Sequence, residues 1–240
     1  MTDGSRLSPS GTRKLTVDLK KYALNEGADL FGVASADKLN HMAPSGHRPC
    51  DFLPKAKSVV VMAVHLIDGV INRLPQSWRE FNCNYFESTD IVNVLGFRVA
   101  SFLEKHGHGA YPISYGSRYG IQSEGISDRH TAVEAGLGGI GLNNLLITPQ
   151  YGPRIRLMVA LTEAKLVFDK RYDEKICGGK KCGYKCVHSC PANALDVDGK
   201  IDYQKCWDHN KSLPVLMTGD HARCGMCIAA CPIPKYSIKT

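Results

Sequence analysis

The sequence predicts an α+β protein: a helix–sheet sandwich over residues 14–168, then a small cysteine-rich domain over residues 169–240. Three observations carry that expectation. Helix-period and strand-like segments alternate until about residue 161, which is the pattern of helices packed on a sheet. The chain of 240 residues is long enough for one core of roughly 150–170 residues plus a small appendage. Eight of the ten cysteines fall in the last 64 residues, in two runs that both end in Cys-Pro.

Residues 1–13 read as a disordered tail. Lys14–Glu26 places Leu15, Leu19, Tyr22 and Ala23 on one helical stripe, with Gly27 where a helix ends. Leu30–Ser35 is a short apolar strand. A turn through Asp51–Pro54 leads into Ser58–Ile67, whose Val59–Val64 run predicts a buried strand. Asn72–Phe86 reads as irregular. Ser88 is then expected to cap a helix from about Thr89 to Lys105, ended by Gly107. Ala110–Tyr115 is a strand, and a Gly- and Ser-rich loop covers Gly116–Ser127. Ser127 or Asp128 caps a short helix to Ala135. After the glycine-rich turn Gly136–Gly141 come strands Leu145–Thr148 and Ile155–Leu161, and the cysteine-rich domain follows.

The first cysteine run is Cys177-x4-Cys182-x3-Cys186-x3-Cys190-Pro191, and the second is Cys224-x2-Cys227-x3-Cys231-Pro232, with Cys206 between them. A cubane iron–sulfur cluster needs four thiolates. In bacterial two-cluster ferredoxins the Cys before Pro ligates the cluster of the other run. Crossed in this way, Cys177, Cys182, Cys186 and Cys231 hold one 4Fe–4S cluster, and Cys190, Cys206, Cys224 and Cys227 hold a second. The C-terminal domain is therefore expected to be ferredoxin-like. Structural zinc sites also use CxxC pairs, but the two Cys-Pro ends and the supply of eight ligands favour clusters. Cys50 and Cys83 lie far upstream and read as small buried apolar residues or inert thiols.

The first 13 residues contain no apolar leader segment, so disulfides are not expected, and the cytoplasm is the expected compartment. No run approaches the ~18 consecutive apolar residues of a membrane span. The formal net charge is +7. Two oxidised clusters with their thiolates would reduce it to about +3. Basic residues are dispersed apart from Lys20–Lys21 and Lys180–Lys181, so a nucleic-acid-binding face is not expected.

Gly136-Leu-Gly138-Gly-Ile-Gly141 fits G-x-G-x-x-G, yet a helix precedes it and a strand follows, the reverse of a dinucleotide-binding turn. Glycines that let backbone approach a large flat ligand suit that context better.

The stretch from His130 to Arg156, HTAVEAGLGGIGLNNLLITPQYGPRIR, followed by the twin cysteine runs, resembles the epoxyqueuosine reductase and reductive dehalogenase superfamily. His47–Val61, HRPCDFLPKAKSVVV, and the helix around Gly96–His106 are similar too. The resemblance implies a base-off cobalamin over a nitroreductase-like core, with one cluster beside the corrin and the other near the surface. Gly136, Gly138, Gly139 and Gly141, with Asn143, Asn144 and Thr148, would then line the corrin and its nucleotide tail. Reductive dehalogenases carry a Lys or Arg after the glycine turn that works with an upstream Tyr proton donor. Leu142 occupies that basic position here, while Tyr85 stands at about the right distance upstream. A phenol with pKa near 10 needs a nearby cation to become acidic enough. Epoxyqueuosine reductases carry an Asp in a D-x-A-P-like element, where this chain reads QSEGISD over Gln122–Asp128. Because the chain stops nine residues after Cys231, their tRNA-gripping helical extension is not expected.

Tyr85, Tyr115 and Asp128 are thus the candidate catalytic residues, with Asp128 alternatively a helix N-cap. Arg154 either binds a cofactor phosphate or faces solvent. The function expected is a cytoplasmic iron–sulfur reductase passing electrons through two 4Fe–4S clusters to cobalamin. It would take them from an external low-potential donor such as ferredoxin or flavodoxin and reduce a small-molecule substrate. The alternatives are the same core holding FMN, or an electron-transfer or corrinoid-reducing partner without its own substrate.

Overall fold

The computed structural model describes residues 8–114, 125–214 and 222–234. Helix α1 spans Pro9–Asn25. Ser8 accepts a hydrogen bond from the Gly11 amide at 3.2 Å, and Pro9 takes the first helical position, where its missing N–H is no loss. The disordered tail expected through residue 13 is therefore corrected for residues 9–13, since the Ser-Pro pair is a helix start. Leu15, Leu19 and Ala23 form the buried stripe of α1, and Gly27, with φ 105°, follows its end.

Strand β1 (Leu30–Ser35) runs into α2 (Ala36–Met42), started by the Ser35 side chain accepting from the Lys38 amide. The core continues through α3 (Pro49–Phe52), β2 (Ser58–His65), α4 (Asp68–Ile71), α5 (Trp78–Lys105), β3 (Ala110–Ile113) and α6 (Asp128–Glu134). A hairpin of β4 (Gly139–Ile140) and β5 (Leu146–Ile147) precedes β6 (Ile155–Thr162). The main sheet has the order β1-β2-β6-β3, with every neighbouring pair antiparallel. Val60, Met62 and Val64 of β2 pack toward α1 and α5. Val59, Val61 and Ala63 pack toward α2 and α6. Both faces are covered, so β2 shows a continuous apolar run instead of alternation. The outcome is a mixed helix–sheet chain.

Helix α5 is 28 residues long, about 42 Å. It absorbs Trp78–Phe86, expected to be irregular, and places Ser88 in its interior, not at its start. Its polar residues misled the sequence reading because each bonds within the fold. Ser88 and Thr89 donate to the Tyr85 carbonyl at 2.8 and 2.9 Å, the back-bonding that Ser and Thr make inside helices. Asn84 accepts from the Ile67 amide at 3.1 Å.

Beyond β6 the chain recrosses the core as an extended strap. The Asp169 carboxylate accepts from the Val33 amide at 2.8 Å, and the Tyr172 amide donates to the Val133 carbonyl at 2.9 Å. Arg171 meets the buried Glu134 carboxylate at 2.6 Å. A 3-10 turn (Gly179–Cys182) and the short helices α7 (Lys185–His188), α8 (Tyr203–Ser212) and α9 (Met226–Ala229) carry the cysteines. Ile228 and Ala229 of α9 pack on a small apolar cluster of Leu66, Ile71 and Phe81. Among the described residues no helix is long and apolar enough to cross a membrane.

Candidate functional site

The four thiols of Cys177, Cys182, Cys186 and Cys231 line one small cavity, together with Leu142 and Asn143 of the hairpin loop. Burial first, then the neighbouring Cys177 and Cys182, push the Cys186 thiol above its ordinary value. Cys231 is pushed up to about 11 by burial, with Cys186, Cys177 and Cys182 adding to it. Cys227 is pushed up to about 12 by burial and then by Cys224, Cys206 and Cys190. Burial likewise raises Cys206 and Cys224, with Cys190 contributing to both. The larger of these influences sort the thiols into two groups of four, with Cys186 of the first group adding the smallest share at Cys227. Crowded, buried thiols resist ionisation until a metal supplies positive charge, and then deprotonate outright. Among the described residues no three His, Cys, Asp or Glu side chains are close enough to share a single ion. Outside the runs, Cys50 is partly buried, but Cys83 is exposed on α5, which removes the buried-apolar alternative for it and leaves that of an inert thiol.

The glycine turn packs against its own chain. A Cβ on Gly138 would meet the Ile147 carbonyl oxygen at 2.1 Å, and one on Gly136 would meet the Lys170 carbonyl oxygen at 2.5 Å. Gly141 is filled by Ile147 and Asn143, while the Ile176 side chain stands at 3.2 Å from the corresponding point on Gly139. The β4–β5 hairpin and the strap thus approach the turn closely on one side, while Gly139 and Gly141 also line an open groove. Gly138→Ala should lower stability by about 3 kcal/mol, because a backbone carbonyl cannot step aside as a side chain can. Thermal unfolding of the purified protein should shift down by roughly 6–12 °C. An unchanged midpoint would remove this account of the turn.

The polar residues after the turn are engaged within the chain. Thr148 is fully buried, and its hydroxyl accepts from the Tyr151 amide at 3.0 Å and donates to the Gly152 carbonyl at 3.3 Å. Asn143 donates to the Cys227 carbonyl at 3.4 Å. Asn144, at φ 56°, donates to the Tyr203 hydroxyl, and its carbonyl accepts from Arg129. Both asparagines therefore join the core to the cysteine-bearing segment. Arg154 neither faces solvent nor awaits a phosphate: it is buried, with Nη1 at 2.5 Å from Asp68 and 2.8 Å from Asn72.

Tyr85 lies half-buried on α5, with the Arg156 guanidinium 4.3 Å and that of Arg223 5.5 Å from its ring centre. Burial alone would raise its phenol, but the charges of Arg156 and Arg223 and a hydrogen bond with Arg223 outweigh it. The net result is a phenol more acidic than an ordinary tyrosine. The cation that Leu142 does not provide is therefore supplied by two other residues. Sequence reasoning gave neither Arg156 nor Arg223 a role beside Tyr85. The one local signal for Arg223 was its place immediately before Cys224.

Asp128 is close enough to Tyr85 for its charge to oppose the two arginines. It occupies the first turn of α6, while Ser127 is the N-cap residue, and its carboxylate accepts from the Arg129 amide at 2.7 Å. The structure thus brings Tyr85 and Asp128 together, whereas Tyr115 lies outside the described residues.

A buried amide holds Arg223 in place. Asn82, fully buried, accepts from the Arg223 amide at 2.6 Å and donates to its carbonyl at 3.1 Å. Asn210 of α8 accepts from the next amide, that of Cys224, at 3.0 Å. Asn82→Ala should destabilise the protein by about 2–4 kcal/mol by leaving both backbone groups unsatisfied. It should also move the Tyr85 phenol back up. Denaturant unfolding checks the first effect, and a change under ~0.5 kcal/mol, typical of neutral surface substitutions, would contradict it.

A groove of about 1280 Å³ runs between the hairpin and the strap, lined by Gly139, Gly141, Leu142, Arg171, Lys175 and Cys177 among others. Its volume exceeds the ~300–1,000 Å³ of ordinary small-molecule pockets. A smaller apolar cavity of about 400 Å³ adjoins it and shares His130 and Met42 with it.

Fold and site together define a helix–sheet protein with a cysteine-rich C-terminal segment, a wide groove that Cys177 lines, and a cation-flanked tyrosine. An epoxyqueuosine reductase of Cyclobacterium marinum is 30% identical over 266 residues, covering 95% of this chain and 82% of the relative. A tetrachloroethene reductive dehalogenase of Desulfitobacterium hafniense is 28% identical over 243 residues, covering 93% of this chain and 40% of the relative. The chain thus spans well under half the length of the dehalogenases it matches. Among solved structures, a reductive dehalogenase described in terms of B12-dependent dehalogenation overlays with TM-score 0.69 at 20% identity. That overlay covers 96% of this chain and 33% of the other. No family model matches. The chain belongs to the superfamily of epoxyqueuosine reductases and reductive dehalogenases.

Proposed function

We propose that this chain is an iron–sulfur reductase that passes electrons through two 4Fe–4S clusters to a cobalamin held in the groove on its core, reducing a small-molecule substrate. In this reading residues 14–168 form a nitroreductase-like cofactor-binding core, and residues 169–240 form a two-cluster ferredoxin-like domain. A low-potential carrier in the cytoplasm supplies the electrons. The observation that carries the reading is the cavity lined by three thiols of the first run and Cys231 of the second. Four thiols around one cavity fit a cubane, and Cys190 helps to raise the thiols of Cys206, Cys224 and Cys227 as a member of a second such set would. The groove is roomy enough for a macrocycle, and the exposed Lys175 on its wall suits a phosphate-bearing tail.

When bound, the cobalamin supplies a strongly reducing metal centre for breaking a bond from carbon to a heteroatom. The chain's residues bind, orient and protonate. Cys224 follows Arg223 directly, so the second four-thiol group lies beside the guanidinium that flanks Tyr85. Tyr85 holds a proton on its phenol oxygen, and Arg156 and Arg223 stabilise the phenolate left after the proton moves.

Anaerobic purification followed by iron, sulfide, cobalt, flavin and zinc analysis tests the proposal. About eight irons and eight acid-labile sulfides per chain are expected, with one cobalt retained after incubation with cobalamin. Stoichiometric zinc without acid-labile sulfide would overturn the whole reading. Clusters with a released flavin and no cobalt would transfer it to FMN.

A further inference from the structure

Two cavities in the cysteine-bearing segment share a wall. The inner one is the four-thiol cavity of Cys177, Cys182, Cys186 and Cys231. The outer one is an open surface concavity of about 410 Å³, where Lys181 and Lys185 flank Cys182 and where Pro232, Ile233 and Pro234 line the apolar part. Gly178, Cys182, Pro232 and Ile233 face both cavities, so the wall is one residue thick. Lys180, Lys181 and Lys185 are exposed. Among the described residues none of them forms an ion pair, whereas the neighbouring acids are engaged. Asp173 is paired with Arg171 at 2.8 Å, and Glu174 hydrogen-bonds the Tyr172 hydroxyl. The concavity therefore has a cationic rim that no internal carboxylate neutralises, around an apolar centre. An apolar centre with a charged rim is the anatomy of a protein-docking patch. Rim charge of one sign steers a partner of the opposite sign.

We propose that this concavity is the docking surface for a small acidic one-electron carrier protein. Docking here rests on the cluster reading above. One electron leaves the reduced carrier and enters the first-run cluster across the wall at Cys182, and no bond or proton changes hands. Among the described residues the lysines make a short rim around prolines and an isoleucine, without the aromatic platforms along a basic groove that single-stranded nucleic acid uses.

The test uses the anaerobic holoprotein with flavodoxin as the acidic carrier. Bleaching of cluster absorbance after mixing with reduced flavodoxin gives the association rate, and titration with oxidised flavodoxin gives the affinity. The wild-type rate should fall steeply with added salt. Lys181→Glu combined with Lys185→Glu should lower the low-salt rate about 10- to 1,000-fold and flatten the salt dependence. Affinity should weaken in parallel, while dithionite still reduces the clusters fully. Lys105→Glu, an exposed charge at the end of α5 that lines neither cavity, should alter neither quantity. Wild-type rate and affinity in the double variant, with clusters that dithionite reduces, would overturn the docking surface and leave the cluster reading standing. Wild-type protein without acid-labile sulfide and without dithionite-reducible clusters would overturn both. An RNA stem-loop whose binding is lost in the double variant, while flavodoxin binding persists, would reassign the concavity to nucleic acid and overturn the proposal.

Discussion

Replacing Cys231 with Ser is expected to remove the cluster of the first cysteine run, leaving that of its own run in place. Cys231 lines a cavity with Cys177, Cys182 and Cys186, and those three thiols raise its pKa, while Cys224 and Cys227 lie in the other group. Iron per chain should fall from about eight to about four. Non-additivity gives the sharper measurement. Cys182→Ser added to Cys231→Ser should remove no further iron, because both changes strike one cluster. Cys224→Ser added to Cys231→Ser should remove nearly all of it. The mirror case, Cys190→Ser, should spare the first-run cluster, since Cys190 acts on the thiols of Cys206, Cys224 and Cys227. Because metal binding contributes directly to folding, each single loss should also destabilise the C-terminal segment. If Cys231→Ser and Cys224→Ser together cost no more iron than either alone, the ligands are not crossed.

Tyr85→Phe should lower turnover about 10²- to 10⁴-fold with any substrate the protein reduces, the usual contribution of a positioned proton donor. Cluster content should stay intact, because no cysteine ligand is touched. A substrate-free measurement probes the same site. In alkaline difference spectra one phenol of the wild type should ionise below the ordinary tyrosine value, and that phase should vanish in Tyr85→Phe. The direction follows from the opposed causes: burial raises the phenol, and the two guanidiniums lower it by more. Arg156→Gln or Arg223→Gln removes one lowering influence, so each should shift the phase upward. Activity should decline as pH rises through this lowered value, because the donor has then lost its proton. The stability sign is the opposite. A folded-state pKa below the unfolded value means that ionisation favours the folded form. The wild type should therefore gain stability over Tyr85→Phe as pH rises through the folded value, with the full gain present above about 10. A tyrosine phase at or above the ordinary value would end the proton-donor assignment.

Several elements were legible in the chain because their signals are local. The strand Leu30–Ser35 has the expected bounds, and the buried strand anticipated over Ser58–Ile67 runs Ser58–His65. Short apolar runs between turns carry their own evidence. Helix α5 was legible only in its second half, because Asn82, Asn84, Ser88 and Thr89 look like cap or loop residues. Their partners are Arg223, Ile67 and the Tyr85 carbonyl, and two of those lie outside the helix. The glycine turn makes a related point: small residues reveal a close approach but not what approaches.

The sequence by itself determined that eight cysteines gather near the C-terminal end, seven in two Cys-Pro runs and Cys206 between them, and the block from His130 to Arg156 marked the superfamily. Both are patterns of residue type along a line, which the line itself preserves. Only the tertiary structure decided that Tyr85 lies between Arg156 and Arg223, that Arg154 belongs to Asp68, and that Cys182 forms a wall between a cavity and the surface. Charge acts through space over a few ångströms, so the groups that set a side chain's chemistry are chosen by packing, not by their place in the chain.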